Sequence, residues 1–192
     1  MTRDEYRARL GRKSVGIAGA GGLGSNCAQA LVRSGIGELV IADFDLVSES
    51  NLDRQFFFLD QVGKPKVEAL AENLRRIDPR PNIAAHAIRL DPDSVVRLFA
   101  DCDVIVEAFD LAEAKAMIIE TVLTRLPGKA LVSASGLAGF GRSESIAVRR
   151  SGDLVIVGDL ESEVGPDNPP MAPRVGIAAC MEANAVVEIL LT

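Results

Sequence analysis

Several groups of residues in this 192-residue chain have types and spacings suited to chemistry. Gly19-Ala20-Gly21-Gly22-Leu23-Gly24 is a G-x-G-x-x-G that follows an apolar run and opens a helical pattern. Glycines there let the backbone turn tightly and approach a phosphate, while the helix N-terminus offers unpaired N–H groups and the positive end of its dipole. Asp43 stands 19 positions after Gly24, where a carboxylate at a strand end accepts the hydroxyls of an adenosine ribose. A plain tight turn and a strand-end cap are the structural alternatives for these two features. Asp45 suits either a local turn or a supporting role beside Asp43.

The stretch SESNLDRQFFF, residues 48–58, follows directly. It places Arg54 where a planar guanidinium can grip a phosphate, with Asn51 and Gln55 able to hydrogen-bond phosphate or ribose oxygens. Phe56, Phe57 and Phe58 read as an anchor, in the core or against a second subunit. Lys66 begins the next helix behind Pro65 and returns a second cation to the same edge. Lys64 reads as ordinary helix-start polarity. Asp110 ends a later apolar run, where a carboxylate suits Mg²⁺ beside substrate phosphates or caps the following helix. No residue in the set resembles a nucleophile or a strong general base. Two cations, an oxygen ligand and a phosphate cradle therefore suit attack of an already ionised acid on the α-phosphate of ATP.

The elements that must position these residues alternate between strand and helix. Strands are expected at 14–19, 38–43, 82–88, 103–110 and 129–135, with helices between them. In the helix from Lys66, apolar Val67, Leu70, Leu74 and Ile77 recur at helical spacing. Asp91 with Pro92 marks another helix start. Residues 143–150 and 153–159 flank the short turn Ser151-Gly152-Asp153, which predicts an antiparallel hairpin. Residues 159–171 are polar and Pro-rich, an expected mobile crossover, and a largely apolar helix closes the chain. The predicted architecture is one α/β, Rossmann-like, three-layer domain over 1–192, parallel at first and mixed at its far edge.

Hydrophobic residues make up 48% of the chain and the net charge is −6, which argues against nucleic acid as a partner. No apolar run has membrane-spanning length. Three scattered cysteines, Cys27, Cys102 and Cys180, suit a reducing, cytoplasmic setting. Cys180 is expected in the core, and the only histidine, His86, in a structural strand position.

GAGGLGSN, ADFDLVSESNLDRQ, GKPKVEAL and the closing MAPRVGIAACMEANAVVEIL together resemble the ThiF/MoeB branch of the ubiquitin-activating-enzyme superfamily. That resemblance implies adenylation of the C-terminal Gly-Gly carboxylate of a ubiquitin-like, ThiS-like sulfur carrier, with ATP and Mg²⁺, in a homodimer serving thiamine thiazole synthesis. It implies Gly22 in the cradle, Asp43 on ribose, Asn51, Arg54, Gln55 and Lys66 on the triphosphate, and Asp110 on the metal. A partner-subunit Arg would correspond to Arg7 or Arg9, with a solvated N-terminal helix the equal alternative. The departures are Leu111 and Lys115 where relatives carry Asn and Arg. The chain also lacks C-x-x-C pairs, so no zinc is expected, and it has no cysteine at 159–170. An NAD(P)-dependent oxidoreductase and a non-catalytic nucleotide- or carrier-binding scaffold are the competing readings. The first would need a substrate domain for which the chain has no room.

Overall fold

The structure is a computed structural model describing residues 1–192. A short helix, α1 (Arg3–Leu10), precedes seven strands and five further helices: β1 (Ser14–Ala18), α2 (Gly22–Ser34), β2 (Glu38–Ala42), α3 (Lys66–Ile77), β3 (Asn82–His86), α4 (Pro92–Phe99), β4 (Val104–Glu107), α5 (Ala112–Arg125), β5 (Ala130–Ala134), β6 (Ala147–Ser151), β7 (Leu154–Gly158) and α6 (Ala172–Leu191). The strands form one sheet in the order β3-β2-β1-β4-β5-β7-β6, parallel throughout except where β6 pairs antiparallel with β7. The predicted hairpin is present. Of the expected first strand 143–150, residues 143–145 form a 3₁₀ turn and the strand begins at Ala147. The order reverses between β1 and β4, which opens a crevice at the carboxyl edge of the sheet.

Both faces of the sheet are covered, so its strands read as nearly continuous apolar runs. Leu39 and Ile41 of β2 and Val104 and Val106 of β4 pack with Leu31, Val67, Leu70, Leu74 and Val186 on the side of α2, α3 and α6. Ala18, Ala42 and Ile105 face Val95, Phe99, Ile118 and Val122 of α4 and α5. The helical spacing in α3 buries Val67, Leu70 and Leu74 as its sequence implies. Gly35 ends α2 at φ 99°, and its N–H donates to Leu31 and Val32 carbonyls. Asp91 caps α4 by accepting the Ser94 N–H at 2.7 Å.

Cys180 is exposed, against the expectation of a core position. The inward face of α6 is set by Val175, Ala178, Ala179, Glu182, Ala183 and Val186, and position 180 falls on the opposite side of that stripe.

Glu182 is the anomaly of that face. It is fully buried and neither carboxyl oxygen has a hydrogen-bond partner. Burial, then the negative charge of Glu107, pushes its pKa well above the usual carboxylate value, with Lys115 pulling only partly the other way. Burial therefore favours the neutral form in the fold. The unfolded chain releases this proton near pH 4 while the folded chain holds it to higher pH, so wild-type stability falls as pH rises above about 4. Glu182→Gln, neutral at every pH, is expected to melt above wild type at pH 8. Its margin should widen from pH 5 to 8 by up to about 1.4 kcal/mol per pH unit, read from thermal melts across that range.

Candidate nucleotide site

The cradle is built where β1 ends and α2 begins. A Cβ on Gly24 would lie 1.9 Å from the carbonyl oxygen of Gly19, so only glycine permits this crossing of loop and helix. The backbone amides of Gly21 and Gly22 donate to no carbonyl, as the opening turn of a helix requires. Asp43, one residue beyond β2, reaches back to this turn. One carboxylate oxygen accepts the Ala20 N–H at 2.6 Å and the other accepts the Asp45 N–H at 2.8 Å. The strand-end carboxylate thus fixes both the cradle and the loop that follows it.

That loop crosses over the cradle. A Cβ on Gly22 would meet Arg54 Cγ at 3.8 Å and Val175 at 3.0 Å, and one on Gly21 would meet Gln55 Nε2 at 3.9 Å. Asn26 of α2 donates to the Arg54 carbonyl at 3.0 Å, and Ser25 Oγ accepts the Phe56 N–H at 3.0 Å. Gln55 Oε1 is buried without a partner. A cradle lined by glycine with free helix-start amides fits a polyphosphate, and the orphaned Gln55 carbonyl oxygen suits a donor such as a ribose hydroxyl.

The three phenylalanines divide the anchoring. Phe57 is buried, Phe56 is half-buried and Phe58 is 45% exposed. Much of the hold comes from polar groups that the sequence did not single out. Asn73 of α3 donates to the Phe56 carbonyl at 2.9 Å and exchanges hydrogen bonds with the buried Gln61. Asn51 turns inward, its side-chain oxygen accepting the Ser48 N–H at 3.0 Å and closing a 3₁₀ turn at 49–51.

Both cations are held by carboxylates of this rim. Lys66 is only 8% exposed at its side chain, and its Nζ lies 2.8 Å from Asp45 Oδ2. Arg54 donates to the Ser50 carbonyl at 3.1 Å and to Asp53 at 2.7 Å. Lys64 pairs at the surface with Glu72, in keeping with its solvated reading.

Asp110 follows β4 at the same edge, exposed and with no side-chain hydrogen bond. It does not cap α5, whose N-cap is Leu111 without a side-chain bond. A lone carboxylate beside substrate phosphates is the common setting for Mg²⁺, and no cluster of three His, Cys, Asp or Glu side chains offers an all-protein metal cage. Beneath it, Glu107 is fully buried and accepts from the Phe109 N–H at 2.7 Å, Ser133 Oγ at 2.5 Å and Lys115 Nζ at 2.9 Å. Lys115 also donates to the Ala134 carbonyl. The departure at Lys115 is therefore a strut holding the loop of Asp110. A glutamate inside the run DVIVEAFD gave no sign of this in the sequence.

The crossover at 159–171 is tied at its start. Asp159 accepts the Glu161 and Ser162 N–H groups, and Arg174 of α6 pairs with it at 2.6 Å, both side chains being buried. The same guanidinium donates to the Gly141 carbonyl at 2.7 Å, joining the loop after β5. Arg7 and Arg9 lie on α1, outside this edge. Arg7 pairs with Asp78 and Arg9 contacts Met1.

The ThiF family profile matches residues 1–192. The adenylyltransferase and sulfurtransferase Uba4 of Candida glabrata is 36% identical over 135 residues, covering 70% of this chain and 31% of that protein. Its counterpart in Aspergillus clavatus is 30% identical across 96% of this chain and 37% of its own length. The chain spans about a third of the length of these curated relatives. Among solved structures, Escherichia coli TcdA, a tRNA N6-threonylcarbamoyladenosine dehydratase, in complex with ATP superposes with a TM-score of 0.88. It is 21% identical, and the match covers 98% of this chain and 89% of that one. E. coli MccB with ATP gives 0.74 at 23% identity, covering 96% and 57%. At those identities the likeness is one of fold, whereas the profile and the Uba4 relatives bear on descent: the chain belongs to the ThiF family.

Proposed function

We propose that this chain adenylates the C-terminal Gly-Gly carboxylate of a ThiS-like sulfur carrier, the activation step that thiamine thiazole assembly requires. The observation that carries the reading is the placement of Arg54 and Gln55 over Gly22 and Gly21. A dinucleotide-binding domain has no use for an arginine-bearing loop laid across its phosphate turn. The adenylyltransferase names of the Uba4 relatives support the same chemistry.

In this reading Asp43 takes the ribose, and the helix-start amides with Asn51, Gln55, Arg54 and Lys66 take the triphosphate. An oxygen of the carrier carboxylate attacks the α-phosphorus. A C–O–P bond forms, and the α-phosphorus–oxygen bond breaks toward pyrophosphate, which leaves with the electron pair. No proton has to move, so positioning and neutralisation by Arg54 and Lys66 are the catalytic contribution. Asp110 would hold Mg²⁺ against the phosphates, where the ion supplies further neutralisation. A homodimer and a reducing, cytoplasmic setting belong to the same reading. Phe58, Leu59 and Val62 are exposed apolar side chains beside the loop, and all three cysteines are free thiols. No helix is long and apolar enough to cross a membrane.

Exchange of labelled pyrophosphate into ATP, run against a panel of carriers ending in Gly-Gly, tests the proposal. Exchange that depends on the carrier's terminal carboxylate is the expected result. Silence with every carrier would defeat it.

A further inference from the structure

The loop that carries Asp110 is short, since β4 ends at Glu107 and α5 begins at Ala112. One side of it rests on the cradle. A Cβ on Gly19 would lie 2.8 Å from the Ala108 carbonyl oxygen and 3.4 Å from the Phe109 ring, and one on Gly24 would lie 3.2 Å from the Ala108 Cβ. The Ala108 N–H donates to the Ala18 carbonyl at 2.8 Å, so the loop leaves the sheet in step with the phosphate turn. At the helix end, Leu111 occupies the N-cap position with no side-chain hydrogen bond. The hold there comes from Glu107 and Lys115. The carboxylate turns back over its own loop to accept the Phe109 N–H at 2.7 Å, and Lys115 Nζ, from the first turn of α5, lies 3.1 and 2.9 Å from its two oxygens. The ammonium's third contact is the carbonyl of Ala134, the last residue of β5, at 2.9 Å.

A buried ion pair adds little stability over an apolar pair of the same volume, and the rest of β4 is Val, Ile and Val. What the charges supply is direction. One ammonium with contacts to the ends of β4 and β5 leaves the first turn of α5, and the loop before it, a single arrangement against the cradle. We infer that Lys115, acting through Glu107, is a positioning residue of the reaction: it sets where Asp110 stands relative to the phosphate turn, and with it how tightly the nucleotide is held as its Mg²⁺ complex. This rests on the nucleotide reading above and adds to it a residue that works through the loop rather than on the ligand.

Calorimetric titration with Mg-ATP and with ATP in excess EDTA reads the metal preference without requiring turnover. Wild type is expected to bind the Mg²⁺ complex more tightly. Lys115→Met should weaken Mg-ATP about tenfold and leave metal-free ATP within about twofold of wild type. Lys115→Met combined with Glu107→Gln leaves no buried charge unpaired, and should show the same narrowing with less loss of stability. Asp110→Asn should narrow the preference at least as far, and adding Lys115→Met to it should change neither affinity further, because both act at one carboxylate. Equal losses for the two ligands in Lys115→Met and in the double variant would overturn the inference, since the residue would then only be supporting the cradle. So would an unchanged preference, or a loss that simply adds to that of Asp110→Asn. A wild-type protein that binds neither form of ATP would overturn the nucleotide reading itself, whereas intact binding with no preference for Mg-ATP would overturn the positioning role alone.

Discussion

Lys66→Met is expected to slow carrier-dependent pyrophosphate exchange by about 10²–10³-fold, with folding preserved. The methionine keeps the length and apolar stem of a side chain that is 8% exposed, so the start of α3 should pack as before. What is lost is an ammonium at the rim of the cradle. Its present partner, Asp45, is 47% exposed and can be solvated when left alone. The loss should fall on the exchange rate at saturating ATP more than on the ATP concentration that half-saturates it, because the charge it offsets grows as pyrophosphate departs. Asp45→Asn is the companion measurement. It keeps Lys66 and removes only the resting partner, so it should cost far less. Equal rates for wild type and Lys66→Met would remove Lys66 from the chemistry.

The largest stability effect is expected at Asp159→Ala. Arg174 and Asp159 are each almost fully buried, and the guanidinium also ties the Gly141 carbonyl. Removing the carboxylate leaves a buried cation with its principal partner gone, at a cost of about 3–5 kcal/mol. For a chain of this length that is a fall in melting temperature on the order of 10 °C. The double variant Asp159→Ala with Arg174→Met should recover much of the loss, since no unpaired charge then remains. Acid should reproduce part of the effect. Burial acts to raise the Asp159 pKa, but the Ser162 and Glu161 N–H groups, the Ser162 hydroxyl and Arg174 outweigh it and hold the carboxyl at about 2. Because the folded value lies below the unfolded one, this contribution is present above about pH 4 and disappears as pH falls toward 2. Asp78, held at about 2 chiefly by its hydrogen bond from Arg80, adds to the same window. An acid melt of Asp159→Ala should therefore show a shallower decline than wild type between those two values.

The alternation of strand and helix was readable in the chain because each buried strand is a short apolar run punctuated by Gly, Asp or Pro, and those signals are local. The cradle was readable for the same reason: its glycines, the carboxylate at position 43 and the cation-bearing loop lie in one continuous stretch. What escaped has no local signature. Glu107, Ser133, Lys115 and Glu182 are brought together from two strands and two helices, and a carboxylate inside an apolar run announces nothing about its partners. The pairing of Asp159 with Arg174 links two segments whose sequences are loop-like and helical, with no periodicity shared between them. The exposure of Cys180 has no sequence signal either, because α6 is apolar on nearly every side and composition does not say which stripe faces inward. The role of Asn73 and Gln61 was hidden too, since a polar residue on an amphipathic helix ordinarily faces water.

The resting partners of Lys66 and Arg54 have a kinetic meaning. With Asp45 and Asp53 in contact, neither cation stands unpaired at the rim, and the chain as a whole is at −6. Such a surface does not draw a polyanion in from a distance. The nucleotide has to arrive by ordinary diffusion and then displace two carboxylates at close range, so capture depends on fit rather than on electrostatic steering.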